Sequence, residues 1–172
     1  WDPVARTEPA RFALDAAALV GREPADRNQG FEGLAFRPEA GRPGGGVFHL
    51  VHQRRPARLV SIVFDPTGPA RTLGATDLVD SRSLRPFEDL AAVTWSERLG
   101  RLLVVAESAD RLLVVGLDGA VERSVVLPGA RQEGLALDGA GSLWVADERL
   151  GFLRLDGAEA ALEAALEGRG DT

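Results

Sequence analysis

Apolar residues come in short bursts separated by polar turns, and the bursts repeat. "FEGLAFRPEAGR" (31–42), "LAAVTWSERLGR" (90–101) and "QEGLALDGAGS" (132–142) each read as a short strand followed by a turn containing Gly. A second run follows each: "VFHLVHQ" (47–53), "LLVVAES" (102–108) and "SLWVADE" (142–148). A third run comes after that: "ARLVSIVFD" (57–65), "RLLVVGLD" (111–118) and "GFLRLD" (151–156). Runs such as "LLVV" are apolar at successive positions, as expected of a strand covered on both faces.

The middle unit also shows a fourth strand. "LDGAVERSVVL" (117–127) reads as a hairpin, with Asp118-Gly119 as a two-residue type I′ turn. Four short strands in a repeat of about 40–45 residues make a β-propeller blade, so the predicted fold is all-β. The predicted division has four parts. Residues 1–27 are an outer strand and linker from a preceding blade, with "RFALDAAALV" (11–20) as that strand. Residues 28–86 are a blade with a long loop around 66–86, 87–128 a second blade, and 129–172 a third. The tail "GAEAALEAALEGRGDT" (157–172) favours helix by propensity but could also carry the last strand of the third blade. Three blades do not close a ring that needs at least about four. The expectation is a part of a longer propeller, completed by further blades of the same protein or by a second chain.

Composition narrows the chemistry. The chain has 172 residues, 45% apolar and 27% charged, which suits one globular domain. A net charge of −6 without a basic cluster argues against nucleic acid. No run approaches the length of a membrane span. Cys is absent, and all 20 basic residues are Arg. Thiol nucleophiles, zinc–thiolate sites, Schiff-base lysines and the P-loop lysine are therefore excluded. No Gly-x-Ser-x-Gly elbow occurs. "GGG" (44–46) reads as a hairpin loop, and Arg169-Gly170-Asp171 as a chance triplet in an Arg/Gly/Asp-rich tail.

The candidate site lies where the inner strands begin. Glu32 and Glu133 open equivalent strands, and the middle unit has Ala91 there. A propeller's innermost strand borders the central channel, so these carboxylates would converge on the axis. There they would raise one another's pKa or demand a cation. Calcium fits, because it accepts six to eight oxygens in loose geometry. Asp147 and Glu148 join Glu32 and Glu133 as candidate metal ligands. Asn28 and Gln132, beside the Glu-Gly pairs, offer amide oxygens to a ligand, and Glu107 follows the second strand of the middle unit. Arg58 and Arg111 begin third strands at matched positions and could hold an anion, although structural ion pairs are the plainer expectation. His49 and His52 are three apart on a strand and face opposite ways, so they form no local chelating pair. In a purely structural reading of the Glu-Gly pairs, Glu caps a backbone N–H and Gly permits close packing near the axis.

The chain also resembles a known family. "NQGFEGLAF" (28–36), "DLAAVTW" (89–95) with "LLVVAESADRLLVVGLDG" (102–119), and "QEGLALDGAGSLWVADE" (132–148) resemble the SdiA-regulated family of bacterial β-propellers. The third unit is also similar to the β-propeller phytases and phytase-like esterases. The resemblance implies a six-bladed ring, of which about half is present, and a periplasmic or secreted location. It implies calcium at the propeller's top and centre, with Glu133 matching one acidic ligand of the phytases. The phytase site also uses Lys and Tyr, and this chain has neither. The expected function is an extracytoplasmic binding module, with calcium at the channel mouth and a small anionic ligand or protein as partner. The alternative is a calcium-dependent phytase-like or esterase-like hydrolase.

Overall fold

The computed structural model describes residues 16–21, 30–41, 45–54, 56–64, 71–80 and 83–168. Its strands form three antiparallel sheets. The first holds β1 (Phe31–Pro38), β2 (Gly46–His52), β3 (Arg58–Phe64) and β4 (Arg71–Thr76). The second holds β5 (Leu90–Ser96), β6 (Arg101–Ala106), β7 (Arg111–Val115) and β8 (Val121–Val126). The third holds β9 (Gln132–Leu137), β10 (Leu143–Asp147) and β11 (Gly151–Leu155). Each sheet is a meander in chain order, and β5 lies against β1 on one side and β9 on the other. The architecture is an arc of three β-propeller blades.

The middle blade explains the unbroken apolar runs. Leu102, Val104, Leu113 and Val115 face the first blade and pack with Val51 and Leu59. Leu103, Val105, Leu112 and Val114 face the third blade and pack with Leu143 and Val145. All eight of those middle-blade side chains are at most 2% exposed, so alternate residues serve two different cores. Full burial of such a side chain contributes about 1.5–3 kcal/mol.

The two ends of the arc differ from expectation. Ala16–Val20 is a short helix, α1, rather than an outer strand, and residues 11–15 lie outside the described residues. Its Ala-Ala-Ala-Leu segment is rich in good helix formers. Val20 enters a cluster with Leu50, Val60 and Ile62 on the outer face of the first blade. The third blade has three strands, and Ala158–Glu167 forms a helix, α2. That settles the tail as helix. Leu162 packs into the core between the second and third blades, and Arg98 Nε bonds Glu163 at 3.0 Å.

Two local expectations are also corrected. The loop expected around 66–86 contains β4, which completes the first blade, while residues 65–70 lie outside the described residues. The hairpin at 117–127 exists, but its turn is not type I′. That type needs positive φ at both central residues, and here only Gly119 (φ 85°) has it. Gly116 N–H bonds Ala120 O at 2.9 Å, leaving a three-residue loop with Gly119 as its left-handed residue. Of the expected glycine loop, Gly46 opens β2 and residues 42–44 lie outside the described residues.

Gly33 fixes the approach of the first two blades. A Cβ there would lie 2.8 Å from Val93 N and 2.9 Å from Ala92 Cα, both backbone atoms of β5. Gly74, on β4, has nothing within 4 Å of that point. We therefore expect Gly33→Ala to destabilise the chain by about 1–3 kcal/mol through overpacking. Gly74→Ala should be neutral or slightly stabilising in the same urea titration. Equal effects at the two positions would show that the blade contact does not need the glycine.

Candidate functional site

All three inner strands begin with the same irregularity. In the first blade Phe31 pairs with His52 and Gly33 with Val51, so Glu32 is the extra, bulged residue. In the second, Leu90 pairs with Ala106 and Ala92 with Val105, leaving Ala91. In the third, Gln132 pairs with Asp147 and Gly134 with Ala146, leaving Glu133. A bulge takes its extra residue out of the ladder and re-aims the side chain. Glu32, Ala91 and Glu133 are thus structurally equivalent, as the sequence repeat indicates.

One backbone bond closes each blade beside its bulge. The N–H groups of Gln53, Glu107 and Glu148 donate to the carbonyls of Gly30, Asp89 and Arg131 at 2.9, 2.9 and 3.0 Å. Glu107 and Glu148 therefore occupy matching positions, one residue past the second strands. The mouth of the channel is built from two rings of positions, the bulged residues and these closing residues.

Electrostatics show which carboxylates influence one another. Desolvation raises the Glu133 pKa, and Glu148, Glu32 and Asp89 raise it further against the opposing pull of Arg131. Desolvation likewise raises the Glu107 pKa, aided by Asp89 and Glu133 and opposed by Arg54. Acidic groups from all three blades thus share one field. Two cations temper it. Arg54 pairs with Asp89, and Arg131 with Glu148 at 2.9 Å.

Asp147 is differently employed. It is 4% exposed, and its two oxygens accept four backbone N–H bonds. Oδ2 takes Ala130 and Arg131 at 3.0 and 3.3 Å, and Oδ1 takes Arg149 and Leu150, each at 2.8 Å. Those bonds, that of Leu150 foremost, hold its pKa down to about 2. Expected as a metal ligand, Asp147 instead clamps together two segments at one end of the third blade, the approach to β9 and the β10–β11 turn, and its lone pairs are already engaged.

The other expected residues scatter. Gln132 is fully buried and points its amide nitrogen at Pro128 O (3.2 Å) and Asp110 Oδ1 (3.5 Å), not at the channel. Arg58 makes a structural pair with Asp77 at 2.8 Å and bonds Val20 O at 3.1 Å. Arg111 starts β7 and has no side-chain partner among the described residues. Asn28 lies outside the described residues. His49 bonds Ser61 Oγ at 2.9 Å, and burial followed by the nearby Arg37 lowers its pKa to about 4. His52 is buried with Nδ1 donating to Pro56 O at 2.8 Å. Neither ring bonds a carboxylate of the mouth through Nδ1.

Sequence reasoning missed Asp89, Arg54 and Arg131. Asp89 is 2% exposed, with left-handed backbone (φ 61°), and Oδ1 accepts no hydrogen bond. Among the described residues no three His, Asp or Glu side chains converge closely enough to hold a metal ion. The mouth offers hard oxygen donors suited to calcium, but this arc does not by itself complete a coordination sphere.

Residues 7–156 match the profile of the SdiA-regulated family. The chain belongs to the SdiA-regulated family. Solved structures similar to this SdiA-regulated chain include a protein of unknown function from Bacteroides caccae, at 17% identity and a TM-score of 0.49. That alignment covers 77% of this chain and 44% of the other. A streptogramin B lyase is similar at 12% identity and 0.45, covering 77% and 42%. A calcium-binding protein, regucalcin, from Agrobacterium tumefaciens is similar at 16% identity and 0.48, covering 80% and 42%. The SdiA-regulated chain spans less than half the length of these structures. No curated protein matches it.

The Asp147 clamp yields a pH test. Its pKa lies below the ordinary 3.8, so its stabilisation is present above that value and is lost as the pH falls towards about 2. Asp147→Asn should lower the melting temperature at pH 7 and flatten the stability decline between those values. Glu148→Gln, which breaks only an exposed ion pair, should change the melt little. If Asp147→Asn proved as stable as wild type, the clamp would be refuted.

Proposed function

We propose that this SdiA-regulated chain is a non-catalytic propeller binding module whose acidic channel mouth attracts a hard cation, with calcium the best chemical match. The observation that supports this most is the mutual field of Glu133, Glu32, Glu107, Asp89 and Glu148, contributed by three separate blades. Glu32, Glu133 and Glu107 would offer carboxylate oxygens singly rather than as a preformed cage, with water and the remaining blades completing the shell. Asp147 takes no part, because its oxygens accept backbone N–H groups, and Gln132 is fully buried with its amide nitrogen on Pro128 O. Bound calcium would offset the repulsion that raises the Glu133 and Glu107 pKa values.

Few protein oxygens and two nearby arginines imply weak binding. Calcium sites of that kind, with dissociation constants of about 10⁻⁴ to 10⁻³ M, suit surroundings where calcium is plentiful. The reading therefore includes a periplasmic or secreted location. No helix among the described residues is long and apolar enough to cross a membrane.

Thermal melts in millimolar calcium and in chelator test the proposal. At ten times the dissociation constant, calcium should add about 1.4 kcal/mol, or roughly 3–6 °C for a chain of this size. Glu107→Gln with Glu133→Gln should abolish that shift. It should also raise the melting temperature in chelator at pH 7, because folded-state pKa values above 4.5 mark ionised carboxylates that cost stability there. In wild type that cost should fade as the pH drops through those raised values. A melt indifferent to calcium would remove the cation from the proposal.

A further inference from the structure

Beside the mouth, a cleft of about 390 Å³ opens between the first two blades. Its walls come from the β2–β3 loop (Arg54, Pro56) and from the segment leading into β5 (Phe87, Glu88, Asp89), with Asp77 beyond β4. The volume falls in the range of small-molecule sites, about 300–1,000 Å³. Pro56 and Phe87 give it an apolar side, and Asp77, Glu88 and Asp89 an acidic one. Arg54 is the single cation in the described lining.

Asp89 marks the cleft as more than a dent between blades. One of its oxygens pairs with Arg54, and the other, Oδ1, accepts no hydrogen bond although the residue is 2% exposed. A buried carboxylate with an unused oxygen is costly unless something donates to it. The backbone adds to this. Asp89 sits at φ 61°, a conformation tolerated by Asp and Asn but strained for most residues, and its carbonyl closes the blade through Glu107 N–H. The chain thus places a buried acidic side chain in the cleft lining. The Arg54 side chain that pairs with it is 46% exposed.

We propose that this cleft binds a small organic cation, a primary amine or guanidinium on a flat apolar body. Its N–H groups donate to Asp89 in place of Arg54, and its body lies against Pro56 and Phe87. A bare metal ion fits less well, because half of the wall is apolar and no three ligating side chains converge there among the described residues. The site shares Asp89 and Arg54 with the edge of the channel mouth, where Glu107 adjoins Asp89, and it needs no calcium.

Titration calorimetry with benzylamine, in chelator at pH 7.5, tests the proposal, with benzyl alcohol and benzoate as neutral and anionic comparators. Benzylamine should bind saturably and the other two should not. Asp89→Asn, which suits the left-handed backbone, should weaken benzylamine by at least about tenfold by removing a charge-assisted bond. Arg54→Ala should tighten it by removing the competing cation. Because Arg54 is half-exposed, that variant keeps the test decisive if Asp89→Asn fails to fold. Absence of benzylamine binding, binding unchanged in Arg54→Ala, or binding of benzoate lost in Arg54→Ala would each overturn the assignment, the last by showing an anion site.

Discussion

The close approach of neighbouring inner strands at the propeller axis governs the rest of this structure. Blades widen outward, so their innermost strands must nearly touch, and the residue facing the next blade there must be small. Gly33 meets the β5 backbone directly, and Ala92 and Gly134 occupy the corresponding positions in the next two blades. The residue before each is displaced into a bulge and released from the ladder. Glu-Gly is therefore one device with two parts. The glycine lets the blades meet, and the bulge frees the glutamate from packing. The structural reading holds for the glycine, and the proposed functional one concerns the glutamate.

Carboxylates at the blade ends have two fates, decided by what surrounds them. Asp147 receives four backbone N–H groups, and its charge becomes part of the loop construction. Glu133 and Glu107 lose part of their hydration and gain like-charged neighbours but no such donors, so their ionised forms are penalised. Identical chemistry one residue apart, at Asp147 and Glu148, thus separates a clamp from a rim charge. A group whose demands are met locally has nothing left to offer a ligand. The groups whose demands are unmet are the ones with binding energy to give.

Much of the fold was legible because it rests on pattern. Strands covered on both faces leave unbroken apolar runs, and a repeated axis leaves repeated Glu-Gly or Ala-Ala pairs. The equivalence of Glu32, Ala91 and Glu133 was readable from spacing, and the bulges coincide with it. Other features had no local signature. Ala16–Val20 is a short apolar run, for which propensity and period do not separate helix from strand. Gln132 looked like a mouth amide, but the pleat turns it inward one residue before the bulge turns Glu133 outward. Asp89 sits in "FEDL", which reads as solvated linker; only the fold of that linker buries it against Arg54, 35 residues earlier.

The two faces at the ends of the arc carry this reasoning one step further. The first blade turns Leu34 (61% exposed) and a row of Phe36, Phe48 and Phe64 outward, partly covered by α1. The third blade turns Phe152 (79% exposed) and Trp144 outward at the other end. These faces are different, so any closure joins a third-blade type of face to a first-blade type of face. That holds whether further blades of the same protein or a second copy provide the junction. Either closure would also lay new strands beside Gly134, where an added Cβ would already lie 3.0 Å from Ala146 Cβ within the blade. The charge of the mouth is then a property of the closed ring. This arc contributes five carboxylates, Glu32, Asp89, Glu107, Glu133 and Glu148, against Arg54 and Arg131. A neutral remainder would leave the channel acidic, and only a basic one would cancel it. Under the proposed function, the pull on a cation originates in the three blades described, and closure tunes its strength.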